Sequence, residues 1–305
     1  MAYNLGRNSK TKGVMRTGPK NQQTRVSERD GELMKVASKK VISTHPSNTI
    51  KNAASMMRDD DVRRLPVIHA GTGKLEGLLT AVDILDFMGG GPKYNIIESD
   101  YRGNFLAAVN CHVQKIMREA QYLPKSASVD DAIRLMLEKR SSCIPVVASE
   151  KELTVVGLVT ERDVLPMIDP DGMGVKVGDI MKRDLITASP GMMISDVSKV
   201  MVRNQLRRLP VILEDKLVGV VTSLDVLGYL HDGHFKGADA EINLSTRVQE
   251  IMQETVTTVG PEDDVNEVIR LVKETGFGGF PVSTDGRLAG IITISDIFHW
   301  IYENG

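Results

Sequence analysis

One seven-residue frame occurs four times in this chain of 305 residues and constrains its fold more than any other feature. The copies are Gly77-Leu78-Leu79-Thr80-Ala81-Val82-Asp83, Gly157-Leu158-Val159-Thr160-Glu161-Arg162-Asp163, Gly219-Val220-Val221-Thr222-Ser223-Leu224-Asp225 and Gly290-Ile291-Ile292-Thr293-Ile294-Ser295-Asp296. Each reads as a buried strand that runs straight into a helix start, with threonine at the N-cap and aspartate three residues on. Recurrence of one frame is the signature of a repeat architecture, in which every copy is one supersecondary unit.

The residues around each frame extend the repeat. In the first copy, Val41 to Pro46 reads as a short strand that ends at a proline. Ile50, Ala53, Ala54 and Met57 then fall at helical spacing. Arg63 to Ile68 is a strand, Ala70-Gly71-Thr72-Gly73 a turn, and Leu75 to Leu79 a strand. Thr80 starts a second helix predicted to reach Met88. The predicted order is strand, helix, strand, strand, helix. The other copies repeat it, opening at Val113-Gln114-Lys115-Ile116-Met117, Val177-Gly178-Asp179-Ile180-Met181 and Val248-Gln249-Glu250-Ile251-Met252. Four prolines, Pro66, Pro145, Pro210 and Pro281, recur at matching places in the third-from-last element. Proline lacks the N–H a ladder needs, so it is expected at a strand's first residue or at an edge. Just before it, repeats 1 and 3 carry Arg63-Arg64 and Arg207-Arg208, whereas repeats 2 and 4 carry Ser142-Cys143 and Gly278-Gly279. That alternation implies a structural unit of two repeats, 1 with 2 and 3 with 4.

Composition sets the outer bounds. At 41% hydrophobic and 26% charged residues, the chain has the makings of a soluble globular protein. Length alone would suggest two domains of about 150 residues. Aromatics are only 4%, so the core is aliphatic, with 15 methionines to fill it. No apolar run approaches the roughly 20 residues of a membrane span, and no membrane association is expected. Cys111 and Cys143 form no ligand cluster, which fits a reducing, cytoplasmic compartment. Residues 1–26 hold six Lys or Arg and no acid. Residues 1–32 are therefore read as a disordered basic tail, either a solubilising extension or a contact for nucleic acid.

The V-x-x-I-M lead-in, the polar residue before the first strand's end (Ser43, Thr187, Thr258), the L-P-V strand and G-h-h-T-x-x-D together resemble the CBS (cystathionine beta-synthase) domain family. The resemblance covers repeats at 33–90, 113–168, 177–232 and 247–304. It implies an α+β fold in which repeats pack as pseudo-two-fold pairs, with clefts that bind adenosine compounds. Four repeats in one chain further resemble the regulatory gamma subunits of AMP-activated protein kinases, in which two tandem pairs form a disk around a central channel. Repeat 2 departs in having Lys125 where the others have proline, and repeat 1 has a degenerate lead-in, Leu33-Met34.

The chemistry of the frame suits a nucleotide. A carboxylate at Asp83, Asp163, Asp225 or Asp296 can accept from both hydroxyls of a ribose. The hydroxyls of Thr80, Thr160, Thr222 and Thr293, with the free N–H groups of the helix start, suit a phosphate. By resemblance, adenine would lie near Ser43, Thr187 and Thr258, and Arg64 and Arg208 would face phosphates. The same T-x-x-D spacing is also that of a helix-capping box; the two readings are compatible. Arg162 stands in the frame of repeat 2 alone, either as a phosphate clamp or as a solvated helix arginine. Clustered arginines favour AMP, ADP or ATP over S-adenosylmethionine, which carries a cationic sulfonium. No P-loop, G-x-S-x-G or H-E-x-x-H occurs, so no catalytic constellation and no metal site is expected. His231-Asp232-Gly233-His234 reads as linker. The expected role is a non-enzymatic sensor that acts on a protein effector, as a monomeric disk or a homodimer.

Overall fold

The computed structural model describes residues 31–167, 174–231 and 244–304. The basic tail and most of the His231–His234 stretch lie outside these residues. The strands are β1 (Arg64–Ile68), β2 (Leu75–Thr80), β3 (Leu123–Pro124), β4 (Cys143–Val147), β5 (Val155–Thr160), β6 (Arg208–Leu213), β7 (Lys216–Thr222), β8 (Gly279–Thr284) and β9 (Arg287–Thr293). Every repeat holds one antiparallel hairpin: β1–β2, β4–β5, β6–β7 and β8–β9. A very short parallel strand lies along the hairpin's first strand. In repeat 2 this is β3 on β4, and elsewhere it shrinks to the single bridges Thr44–Val67, Ala188–Val211 and Val259–Val282.

That brevity explains the prolines. They lie inside their strands, and β1, β6 and β8 are edge strands, as expected for proline, while β4 sits between β3 and β5. Pro66, Pro210 and Pro281 each give their carbonyl to the short strand, to Thr44, Ala188 and Val259. Their N side faces the end of a one-bridge ladder, so the missing N–H breaks nothing.

The first helices, Ile50–Asp59, Val129–Glu138, Ile194–Arg203 and Val265–Thr275, are amphipathic. Thr49 caps the first of them by accepting from the Asn52 N–H at 3.1 Å, a contact whose loss costs about 1 kcal/mol. Second helices follow at Ala81–Leu85, Glu161–Val164, Ser223–His231 and Ile294–Asn304. In repeat 1 the second helix reaches Met88 as expected, but not as a regular α-helix. It widens into a π turn over Asp86–Gly90, where Gly89 takes φ 108°. Residues 91–112 are folded too. Helices Asn95–Tyr101 and Phe105–Ala108 bury Ile97, Phe105 and Ala108.

The repeats pair by exchanging their lead-ins. The residue after I-M of repeat 2, Arg118, pairs antiparallel with Leu78 of repeat 1, and Ser38 of repeat 1 pairs with Leu158 of repeat 2. Lys182 of repeat 3 pairs with Ile291 of repeat 4, and Gln253 of repeat 4 with Val220 of repeat 3. Each bridge is a reciprocal pair of N–H···O=C bonds of 2.8–3.0 Å. The hairpin tips meet as well, at Lys74–Thr154 in one pair and Lys216–Arg287 in the other. The recurring glycine makes the exchange possible. A Cβ on Gly77 would stand 2.8 Å from the Arg118 carbonyl, and one on Gly219 would stand 2.9 Å from that of Gln253. The glycine thus admits the neighbouring repeat's backbone, not a ligand.

Two cores form across the pairs. One joins repeats 1 and 3, with Ile50, Met57, Leu65 and Phe87 against Val197, Met201, Leu209 and Leu227. The other joins repeats 2 and 4, with Ala132, Met136, Ile144 and Val164 against Val268, Val272, Phe280 and Phe298. Pairing along the chain (1 with 2, 3 with 4) and packing across it (1 with 3, 2 with 4) close the four repeats into one ring of contacts.

Gly77→Ala and Gly219→Ala should each lower stability by about 1–3 kcal/mol through overpacking. Gly157→Ala, whose Cβ would find Ser38 and Ala37 no nearer than 3.4 Å, should be nearly neutral. Urea denaturation midpoints of the three variants check this.

Candidate functional site

All four T-x-x-D frames form the same local structure. The threonine N–H donates to the aspartate Oδ2 at 2.7–2.8 Å. Its hydroxyl donates to the same oxygen at 2.6–2.7 Å. The reciprocal bond that completes a capping box is present at Thr80, Thr160 and Thr222, and in every copy the cap commits one carboxylate oxygen.

The second oxygen differs between copies. Asp83 Oδ1 is held by Arg118 Nη2 and by Lys93 Nζ, each at 2.6 Å. Asp225 Oδ1 accepts from Gln253 Nε2 at 2.9 Å. Asp296 Oδ1 pairs with Lys182 Nζ at 2.9 Å. These three aspartates are buried. Asp163 is partly exposed, and among the described residues its Oδ1 has no hydrogen-bond or ion-pair partner. Spacing alone gave no sign of this division, because the partners cross from a different repeat.

The arginine doublets converge on the centre. Arg63, Arg64, Arg207 and Arg208 line one cavity together with Ser142, Cys143, Thr160, Glu161 and Arg162. All four repeats contribute, since Gly278 and Ile294 complete the wall. Arg64 donates to the Ser142 hydroxyl, as does Arg207 from the other pair. Arg208 donates to the Gly279 carbonyl. The small residues of repeats 2 and 4 thus make room for the long arginines of repeats 1 and 3, which is the physical content of their alternation. Arg162 is partly exposed at the cavity wall and tethered: its Nη1 donates to the Gly276 carbonyl at 2.7 Å and so ties repeat 2 to repeat 4. Gly276 ends its helix at φ 72°, a conformation suited to glycine.

Five arginines and one glutamate share this wall. Glu161 is already engaged, accepting from the Ser295 hydroxyl at 2.6 Å and lying 3.7 Å from Arg207 Nη2. The stress shows in the titration of the group. Burial, then the charge of Arg207, pushes Arg64 down to about 10. Burial, then Arg207, Arg63 and Arg162, pushes Arg208 down to about 9. Burial, then the Arg162 charge, also lowers Arg63. Guanidinium groups keep their charge at neutral pH, so the cavity is an uncompensated cationic site. The doublets were visible in the sequence; that Arg63, Arg207 and Glu161 join Arg64 and Arg208 at one place was not.

Ser43 and Thr187 are partly exposed and Thr258 is exposed, each next to the residue that forms the short parallel strand. None of the three lines the central cavity. Among the described residues, no three His, Cys, Asp or Glu side chains gather into a metal set, and no helix is long and apolar enough to cross a membrane.

Small α+β units, paired about pseudo-two-fold axes and closed around a polar centre, define a tandem-repeat module. The chain belongs to the CBS domain family, whose model matches residues 31–90, 113–169, 177–232 and 248–303. It is similar to the uncharacterised protein MJ1225 of Methanocaldococcus jannaschii, at 37% identity over 88% of this chain and 98% of that one. The crystal structure of MJ1225, described as that of a proposed archaeal homologue of γ-AMPK, superposes with a TM-score of 0.82 over 88% of this chain and 99% of that chain. A 33.4 kDa protein encoded in a ribosomal RNA operon of Thermofilum pendens is 28% identical over 82% of this chain and 84% of its own length. The inosine-5'-monophosphate dehydrogenase of Staphylococcus saprophyticus is 26% identical over 79% of this chain, but the match spans only 51% of the enzyme.

Removing Arg118 and Lys93 together should leave the buried Asp83 carboxylate uncompensated. The double alanine variant should lose about 3–5 kcal/mol, more than either single variant, as read from denaturant unfolding. Burial raises the Cys143 thiol to about 11, so the native protein should leave Cys143 unmodified by iodoacetamide at pH 8, and peptide mapping reads the label.

Proposed function

We propose that this protein binds an adenosine nucleotide (AMP, ADP or ATP) with its phosphates toward the arginine-walled cavity, and that occupancy regulates a protein effector. The cavity carries the reading: five arginines and a single, already engaged glutamate call for an anion. Thr160, whose hydroxyl is bonded to Asp163, lies on the same wall. A ribose at the aspartate and a phosphate at the arginines are therefore within one ligand's reach. Similarity to MJ1225, described as a proposed homologue of γ-AMPK, supports the same class of ligand.

The arrangement also supports a regulatory mechanism. Arg63 and Arg64 come from one pair, Arg207 and Arg208 from the other. A phosphate among them relieves repulsion across the pair–pair contact, so it binds the closed disk better than a loosened one. That difference in affinity is what shifts a conformational equilibrium. The sulfonium of S-adenosylmethionine would add to the repulsion and is disfavoured.

Isothermal titration of ligand-free protein should give heat with AMP, ADP or ATP that weakens with salt, and weaker or no binding of S-adenosylmethionine. Absence of binding by all three nucleotides would sink the proposal. Arg208→Ala should lower affinity about 10- to 100-fold, the worth of a charged hydrogen bond. Deleting residues 1–26 should leave nucleotide affinity unchanged; if nucleic-acid binding is the function instead, the same deletion abolishes salt-dependent RNA or DNA binding.

A further inference from the structure

We infer that the chain takes one nucleoside ribose, at Asp163, and that its own side chains pre-empt the matching carboxylates of the other three repeats. The inference rests on the adenosine-nucleotide reading above and specifies which of four near-identical frames serves it.

In every frame Oδ2 is spent on the threonine N–H and hydroxyl, so a ribose must use Oδ1. What meets Oδ1 is decided by a single position on the exchanged lead-in of the paired repeat. That position is Arg118 against Asp83, Gln253 against Asp225 and Lys182 against Asp296. Each occupies, at 2.6–2.9 Å, the place a ribose hydroxyl would take. Against Asp163 the position is Ser38. Its backbone pairs with Leu158 just as Arg118 pairs with Leu78, but its short side chain turns to the Lys40 carbonyl at 3.3 Å. Asp83 is closed twice, because Lys93 from the 91–112 insertion bonds both Asp83 Oδ1 and the Ile116 carbonyl at 2.6 Å.

A second observation agrees. Of the four capping threonines, only Thr160 lines the arginine-walled cavity. The one frame whose carboxylate is open is also the one beside the cationic centre. A charge-assisted bond from Arg or Lys is stronger than one from a neutral hydroxyl, so ribose competes poorly at Asp83 and Asp296, while at Asp225 the neutral Gln253 amide already fills Oδ1.

The test is titration of the ligand-free full chain with AMP, read by calorimetry and by native mass spectrometry. Wild type should bind about one AMP per chain. Ser38→Arg, which leaves the Thr160–Asp163 box intact, should weaken AMP by at least about tenfold. Lys182→Ser should free Asp296 and raise the stoichiometry to about two. The second variant keeps the test decisive if circular dichroism shows the first to be misfolded. Two or more AMP per wild-type chain, AMP affinity unaffected by a folded Ser38→Arg, or a Lys182→Ser chain that still binds one, overturns the inference while leaving a nucleotide-binding protein. No binding of AMP, ADP or ATP overturns the nucleotide reading and the inference with it.

Discussion

The structure depends on a backbone crossing that is tight enough to require glycine at Gly77, Gly219 and Gly290 and looser at Gly157. Each repeat sends its lead-in onto the last strand of its neighbour, beside the glycine in the middle of that strand, which puts no Cβ in the way. Without the crossing, each hairpin would present an open edge. With it, the two sheets of a pair are stitched in both directions. The residue following the crossing is then carried to the neighbour's capping box. The packing device and the electrostatics of the candidate site are thus one feature: what a lead-in carries at its end determines whether the facing aspartate is occupied.

Charge distribution follows the same logic of pairing. Arginine in the odd repeats and small residues in the even ones would be unfavourable if all copies were alike, because like charges would face one another at every position. Alternation lets Arg64 reach Ser142 and Arg208 reach Gly279. Repulsion remains between the pairs, where Arg207 meets Arg64 and Arg63. A site that stores unfavourable charge in its empty state binds an anion more strongly and couples that binding to the geometry of the contact.

Much of the fold was legible before any coordinates, and for a physical reason. Gly, Thr, Asp and Pro each do something the other residues do badly, so their recurrence at Gly77, Thr80, Asp83 and Pro66 and at three matching sets marks elements directly. The capping box at Thr160–Asp163 was readable for the same reason. The identity of the residue beyond I-M was not. Ser38, Arg118, Lys182 and Gln253 look like unrelated surface residues until the exchange brings each to a carboxylate. Residues 91–112 carry no element of the repeat frame, yet Ile97 and Phe105 are fully buried, a packing no local pattern announces. Arg162 looked like a ligand clamp or a solvated side chain; its partner, the Gly276 carbonyl, is 114 positions away in the chain and invisible to local pattern.

The two apolar cores run against the order of the chain, one uniting repeats 1 and 3 and the other repeats 2 and 4. The second gathers Leu33 near its beginning and Phe298 near its end. During synthesis, then, repeats 1 and 2 can stitch their sheets together on the ribosome while their helices wait, uncovered, for partners not yet made. A half-molecule of repeats 1 and 2 alone would leave those apolar faces uncovered, and contacts this distant in sequence form slowly. A chain cut before the helix Ile294–Asn304 would leave the stitched pair of repeats 1 and 2 beside an unfinished core.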